Sequence, residues 1–138
     1  MVIVDTNILV DVLEDDPKWA DWSVGQMREL AKIDELAINP IIYAELSLTF
    51  EAVEDLDAVV AELDLKFLEV PRPALFLAGK AFARYRGQGR VKANVLADFL
   101  IGAHAAVTGC RILTRDTRRY LGYFPTVDLI APGRTETT

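Results

Sequence analysis

A single cysteine, Cys110, and a single histidine, His104, leave the chain without an internal disulfide and without the Cys and His pairs that hold zinc. Cys110 is expected as a small buried side chain beside a strand, in a reducing compartment. No apolar run is long enough to span a bilayer. Met1 leads straight into Val2-Ile3-Val4 and Asp5, without the basic start and apolar stretch of a secretory signal, so a cytoplasmic location is expected. Internal repeats and low-complexity segments are also missing.

Bases are scarce in the first half only. Residues 1–69 carry 17 acids and 4 bases, whereas residues 70–138 carry 4 acids and 11 bases. The net charge of −6 taken alone argues against a polyanionic partner, yet a basic face from the second half could meet phosphates. Solvation of helices is the plainer account of the same charges. With 51% apolar residues there is material for a core, and 138 residues are too few for two well-buried ones. One domain over 1–131 is expected, with 132–138 as a loose tail.

Strand and helix patterns alternate. Val2-Ile3-Val4 is β-branched and apolar, and the capping types Asp5-Thr6-Asn7 lead into a helix over Ile8 to Leu13. Asp16-Pro17 opens a helix reaching Ile33. Leu36-Ala37-Ile38 is a second strand, and Asn39-Pro40 starts the helix that holds Glu45. A helix from Leu56 to Leu63 precedes a third strand, Lys66 to Val70. Pro71 to Arg86 is helical by its apolar spacing and stops at Gly87-Gln88-Gly89. Asn94 caps a helix from Val95 to Thr108, Gly109 ends it, and Arg111 to Thr114 is a fourth strand. A short helix from Thr117 to Leu121 and a last strand near Val127 to Ile130 follow. Such alternation implies a mostly parallel sheet covered on both faces.

Four acids stand out in that frame. Ligands of such sheets sit beyond the carboxyl ends of the strands, where Asp5 follows the first strand and Asp116 closely follows the fourth. Glu45 and Asp98 lie near helix starts within apolar sequence, Ile42-Tyr43-Ala44-Glu45-Leu46 and Val95-Leu96-Ala97-Asp98-Phe99-Leu100-Ile101. A carboxylate at the border of a core loses hydration and wants a cation. Arg115, Arg118 and Arg119 are the protein cations at hand; a hard divalent ion is the alternative. Two carboxylates about 4 Å apart repel by roughly 4 kcal/mol at an effective dielectric near 20, so four converging acids favour the ion. Oxygen ligands alone suit magnesium or manganese.

These residues resemble the PIN-domain nucleases, and within them the VapC-type toxins of toxin–antitoxin pairs. The likeness is carried by Val2-Ile3-Val4-Asp5-Thr6-Asn7, Ala44-Glu45, Leu96 to Ala105 and Leu113-Thr114-Arg115-Asp116, and spans Val2 to about Leu129. It implies a PIN-like three-layer α/β/α fold with a parallel sheet of about five strands. It further implies an endoribonuclease that hydrolyses RNA with metal-activated water and leaves 5′-phosphate and 3′-hydroxyl ends. Carried over by position, Asp5, Glu45, Asp98 and Asp116 would be catalytic metal ligands for Mg2+ or Mn2+, with Asn7 and Thr114 supporting the first and last. Arg86, Arg90, Lys92, Arg115 and Arg118, together with Arg84 and Arg119, are candidate RNA phosphate contacts. A small antitoxin and a homodimer are the implied partners.

Other readings remain beside it. A catalytically silent PIN-like interaction module would keep the fold without turnover. A phosphorylated receiver needs an acceptor Asp ending its third strand, where Val70-Pro71 stands, and a haloacid-dehalogenase-like phosphatase wants a second Asp where Asn7 stands. His104 lies six residues beyond Asp98, a rotation of roughly 240° around a helix, and is expected to face away from it in a structural role. Trp19 and Trp22 suit either core packing or an antitoxin-docking surface.

Overall fold

The computed structural model describes residues 1–89 and 95–133. Strands β1 (Val2–Val4), β2 (Leu36–Ile38), β3 (Lys66–Phe67), β4 (Arg111–Leu113) and β5 (Leu129–Ile130) form one sheet in the order β3-β2-β1-β4-β5. Every pairing is parallel, and β1 sits at the centre with Val2 opposite Leu36 on one side and Arg111 on the other. Parallel neighbours require crossovers, which α1 (Thr6–Leu13), α2 (Ala20–Ala31), α3 (Pro40–Leu46), α4 (Val53–Glu62), α5 (Arg72–Gly87), α6 (Leu96–Thr108) and α7 (Arg118–Tyr123) supply. The winding runs outward from β1 to β3 and then resumes beyond β1 at β4. Right-handed crossovers on the two sides of that reversal put helices on both faces of the sheet.

The central strands are continuously apolar because both faces are covered. Val2, Ile3, Val4, Ile38, Ile112 and Leu113 are all fully buried. At one edge, Lys66 and Phe67 of β3 are exposed. Helix α6 packs chiefly on α5 and also meets α7 and α3. Phe82, Tyr85, Phe99, Tyr123 and Phe124 form a chain of ring contacts across α5, α6 and α7. Gly102 on α6 faces this cluster at a point where a Cβ would collide with the Phe124 ring and press on Tyr120.

Element boundaries differ from the sequence expectation in ways that have local causes. The helix expected from Asp16-Pro17 to Ile33 is the shorter α2. Asp16 Oδ1 accepts from the amides of Lys18 and Trp19, both at 2.9 Å, and this local turn competes with helix. The third strand ends at Phe67 rather than Val70; Leu68 still donates to Ile38 O at 2.9 Å before the chain turns away toward Pro71. Helix α7 begins and ends later than expected, and β5 is confined to Leu129–Ile130. Gly109 ends α6 at a left-handed φ of 73°. The expected cap Asn94 and residues 134–138 of the expected tail lie outside the described residues.

Candidate active site

Strand β1 ends at Val4, and the next residue caps α1. Asp5 has extended backbone geometry and its Oδ1 accepts from the amide of Thr6 at 2.8 Å. Its other oxygen, Oδ2, accepts from Thr114 Oγ1 at 2.7 Å and from Tyr120 Oη at 2.8 Å. Burial pushes the Asp5 carboxyl up, against the pull of the Thr114, Tyr120 and Thr6 hydrogen bonds. The same burial, with the neighbouring Asp5 and Asp98 charges, drives the Tyr120 phenol well above its usual value, so it keeps the proton that it donates to Asp5.

Thr114 follows β4 directly and ties the two strand ends together. Besides holding Asp5, its hydroxyl oxygen accepts from the Asp116 amide at 3.1 Å and from Asn7 Nδ2 at 3.3 Å. Asn7 Oδ1 in turn accepts from the Arg115 amide at 3.1 Å. Asp5 and Asp116 therefore leave the same edge of the sheet, at the reversal of winding where open α/β sheets bind ligands.

Glu45, expected near a helix start, lies instead near the end of α3, because that helix stops at Leu46, and Thr6 Oγ1 donates to its Oε1 at 2.6 Å. Asp98 stands in the first turn of α6. Its carboxyl is pushed up to about 6, first by burial and then by the Asp5 charge, with Arg119 opposing and Glu45 and Asp116 adding to the rise. Arg119 Nη1 is 3.7 Å from Asp98 Oδ2, which is an ion pair without a short hydrogen bond. The Arg119 Nε is buried with no partner. Asp116 faces Arg118 instead, whose Nε and Nη2 both approach at 3.2 Å, and this contact holds its carboxyl below the usual range.

Asp5, Glu45 and Asp98 line one open cleft of about 330 Å³ with Thr6, Asn7, Val10 and Arg115. Asp116 stands beside it, near enough to raise the Asp98 carboxyl, but is not part of its lining. Among the described residues no three His, Cys, Asp or Glu side chains are drawn together tightly enough to hold an ion by themselves. The donor chemistry nevertheless fits a hard divalent cation that keeps several waters, as magnesium does. Burial, and after it the charges of Asp5, Glu45 and Asp116, disfavour the ionised Asp98 carboxyl, and a cation would offset both.

The basic candidates separate. Arg115 lines the cleft, with Nε and Nη2 committed to Asp11 at 2.6 and 2.8 Å. Arg118 is 80% exposed and engaged with Asp116, whereas Arg119, nearer the core, meets Asp98. Arg86 is exposed on α5 with its guanidinium 5.9 Å from the Phe82 ring and does not line the cleft. Arg90 and Lys92 lie outside the described residues.

His104 is buried on α6 beside Asn39. The Asn39 Oδ1 caps α3 by accepting from Ile42 at 3.0 Å, so its Nδ2 is the end that donates to His104 Nδ1 at 3.1 Å. Trp19 and Trp22 are half-buried and meet edge to face at 6.1 Å. Cys110 is buried just before β4.

Four residues of this region escape the sequence reading: Thr6, Asp11, Ser23 and Tyr120. Asp11 carries a usable signal, since an acid within Ile8 to Leu13 is as awkward as Asp98 within Leu96 to Ile101. Tyr120 has none, because its role depends on the angle at which α7 crosses α6.

The PIN domain family model matches residues 2–123. A comparison with curated protein sequences returns no match. The fold resembles the solved structure of VapBC2 from Rickettsia felis bound to a DNA fragment from their promoter. That likeness has a TM-score of 0.73 at 23% identity over 95% of this chain and 98% of the other. VapBC-1 from nontypeable Haemophilus influenzae follows at 0.69 and 20%, covering 95% and 98%. FitAcB from Neisseria gonorrhoeae gives 0.67 and 20%, covering 98% and 100%.

Proposed function

The chain belongs to the PIN domain family, and on that premise we propose that it is a divalent-metal-dependent endoribonuclease, the toxin of a VapBC-type toxin–antitoxin pair. The observation that carries this reading is the cleft in which Asp5, Glu45 and Asp98 face one another beside Asp116 at the carboxyl edge of the sheet. These acids would hold one or two Mg2+ or Mn2+ ions. A bound ion makes water easier to deprotonate at neutral pH and offsets charge on the scissile phosphate.

The chain's own residues prepare that chemistry. Thr114, Tyr120 and the Thr6 amide keep the Asp5 carboxylate oriented and favour its ionised form. The Thr6 hydroxyl fixes Glu45. Arg115 brings a positive charge to a cleft otherwise lined by acids and neutral groups, where it meets an RNA phosphate. An antitoxin partner is drawn from the solved structures of similar fold, which include VapBC2, VapBC-1, FitAcB and a toxin–antitoxin complex from Klebsiella pneumoniae. A homodimer of the nuclease belongs to the same reading.

A second reading, a silent interaction module, draws on the arginines that already face the acids: Arg119 at Asp98 and Arg118 at Asp116. Cleavage of a mixed single-stranded RNA in magnesium or manganese, with analysis of the new ends, separates the two. The nuclease reading expects metal-dependent cuts with 5′-phosphate ends that Asp98→Asn abolishes. Cleavage that persists in chelator, or none in either metal together with no thermal stabilisation by them, rejects it.

A further inference from the structure

The shortest ion pair beside the cleft among the described residues involves an acid that the proposed metal chemistry does not use. Asp11, on α1, is 2% exposed, and both of its oxygens are engaged. Arg115 Nε donates to Oδ2 at 2.6 Å, Arg115 Nη2 donates to Oδ1 at 2.8 Å, and Ser23 Oγ from α2 donates to Oδ2 at 3.0 Å. The guanidinium also lies against the Trp19 ring, 5.1 Å from its centroid. Trp19 is itself steadied by Asp16, which accepts its backbone N–H.

The two ends of this pair differ. Asp11 is sealed inside, whereas the Arg115 side chain is 28% exposed and lines the cleft with Asp5, Glu45 and Asp98. Among the described residues lining that cleft it is the only cation. Asp11 occupies one edge of the guanidinium and leaves Nη1 without a hydrogen bond among the described residues. An arginine held in this way keeps donors for a second anion and loses little side-chain freedom on binding it.

We propose that Asp11, aided by Ser23 and Trp19, is a positioning residue that fixes Arg115 to receive a phosphate oxygen of single-stranded RNA in the cleft. The proposal rests on the ribonuclease reading above. It has an unusual sign. Removing a negative charge from an acidic protein should strengthen RNA binding by long-range electrostatics, but removing this one releases the arginine and should weaken it.

The test measures binding of a fluorescein-labelled, mixed-sequence single-stranded RNA to the full chain by anisotropy across a salt series, with Asp98→Asn present throughout to prevent cleavage. Asp11→Asn is expected to lower affinity by roughly tenfold, the scale of one charge-assisted hydrogen bond. Arg115→Lys keeps the charge but cannot hold Asp11 and phosphate together; its salt slope should fall by roughly 0.7, one phosphate contact to a single strand. As a readout that survives a misfolded Asp11 variant, Trp19 fluorescence in Trp22→Phe protein should respond to RNA and lose that response with Arg115→Lys. Unchanged or tighter binding by folded Asp11→Asn, or a Trp19 signal indifferent to RNA that does bind, overturns the proposal. Absence of cleavage by the unmutated chain, together with absence of RNA binding in the Asp98→Asn background, overturns the ribonuclease reading itself, and is told apart because it appears before Asp11 or Arg115 is changed.

Discussion

Thr114 and Asp5, 109 residues apart in sequence, are joined by a 2.7 Å hydrogen bond from the threonine hydroxyl to Asp5 Oδ2. That hydroxyl also accepts from the Asp116 amide and from Asn7, so one side chain sets both the first acid and the turn that carries the last.

Thr114→Val, which keeps the shape and deletes the hydroxyl, should cost about 1–3 kcal/mol because it strips a donor from a buried carboxylate. Metal affinity should fall by about 10–100-fold, the usual effect of losing a group that orients a ligand. Thermal melts with and without magnesium, and a metal titration of cleavage, measure the two effects separately.

Asp98 predicts an inverted pH dependence for the metal-free protein. Its carboxyl holds a proton up to about 6 when folded and to about 3.8 when unfolded, so folding takes up a proton between those values. Stability contributed by this residue therefore falls as pH rises through that window. Because 35% of the side chain stays exposed and screened, the effect is on the order of 1 kcal/mol rather than the full value of the shift. Asp98→Asn should be firmer than the unmutated protein by a few degrees at neutral pH in chelator, and softer than it in saturating magnesium. Denaturation curves at pH 4 and pH 7 decide this.

His104 pulls the other way. Burial holds its imidazole below the ordinary value of 6.5, so the folded state keeps it neutral while the unfolded state binds a proton. Its contribution is complete above 6.5 and is lost as pH falls below that value toward the folded pKa. Protonation would also turn Nδ1 into a donor facing the Asn39 Nδ2 donor and break the contact between α6 and the start of α3. Replacement by Gln should flatten the loss of stability below pH 6.5, as followed by urea melts across that range.

The close approach at Gly102 predicts a site effect from a residue that touches no acid. A methyl group there would drive the Phe124 ring away and crowd Tyr120, moving α7 and with it the donor to Asp5 and the Arg119 that faces Asp98. Gly102→Ala should cost about 1–3 kcal/mol, the range for overfilling a packed contact. Cleavage should fall more than stability alone accounts for, which activity measured well below the melting temperature tests.

The strand ends were the most legible part of the molecule. Apolar triplets such as Val2 to Val4 are read from composition, and an acid placed just after one is delivered to the sheet edge by the strand itself. Glu45 and Asp98 were legible for another reason, the cost of a charge inside an apolar run. Asp11 shows the limit of that signal, since the same cost marks an acid that lines the cleft and an acid matched to a distant arginine. Which arginine meets which acid was not readable: Arg118 and Arg119 are neighbours, yet one faces Asp116 and the other Asp98. Their choice follows from the turn of α7, and no periodicity encodes it. Strand lengths were equally obscure, because Lys66 to Val70 has strand composition throughout and only the pairing with β2 ends it at Phe67.

The bonds from Thr114 and Tyr120 to Asp5 also set an order of events during synthesis. Asp5 is made before its two side-chain donors, which come 109 and 115 residues later. Until that distal segment has left the ribosome and closed against β1, the early acids have no common pocket. In a chain cut before Thr114, Asp5 therefore lacks both of its side-chain donors, and the cleft proposed to hold metal is left unassembled.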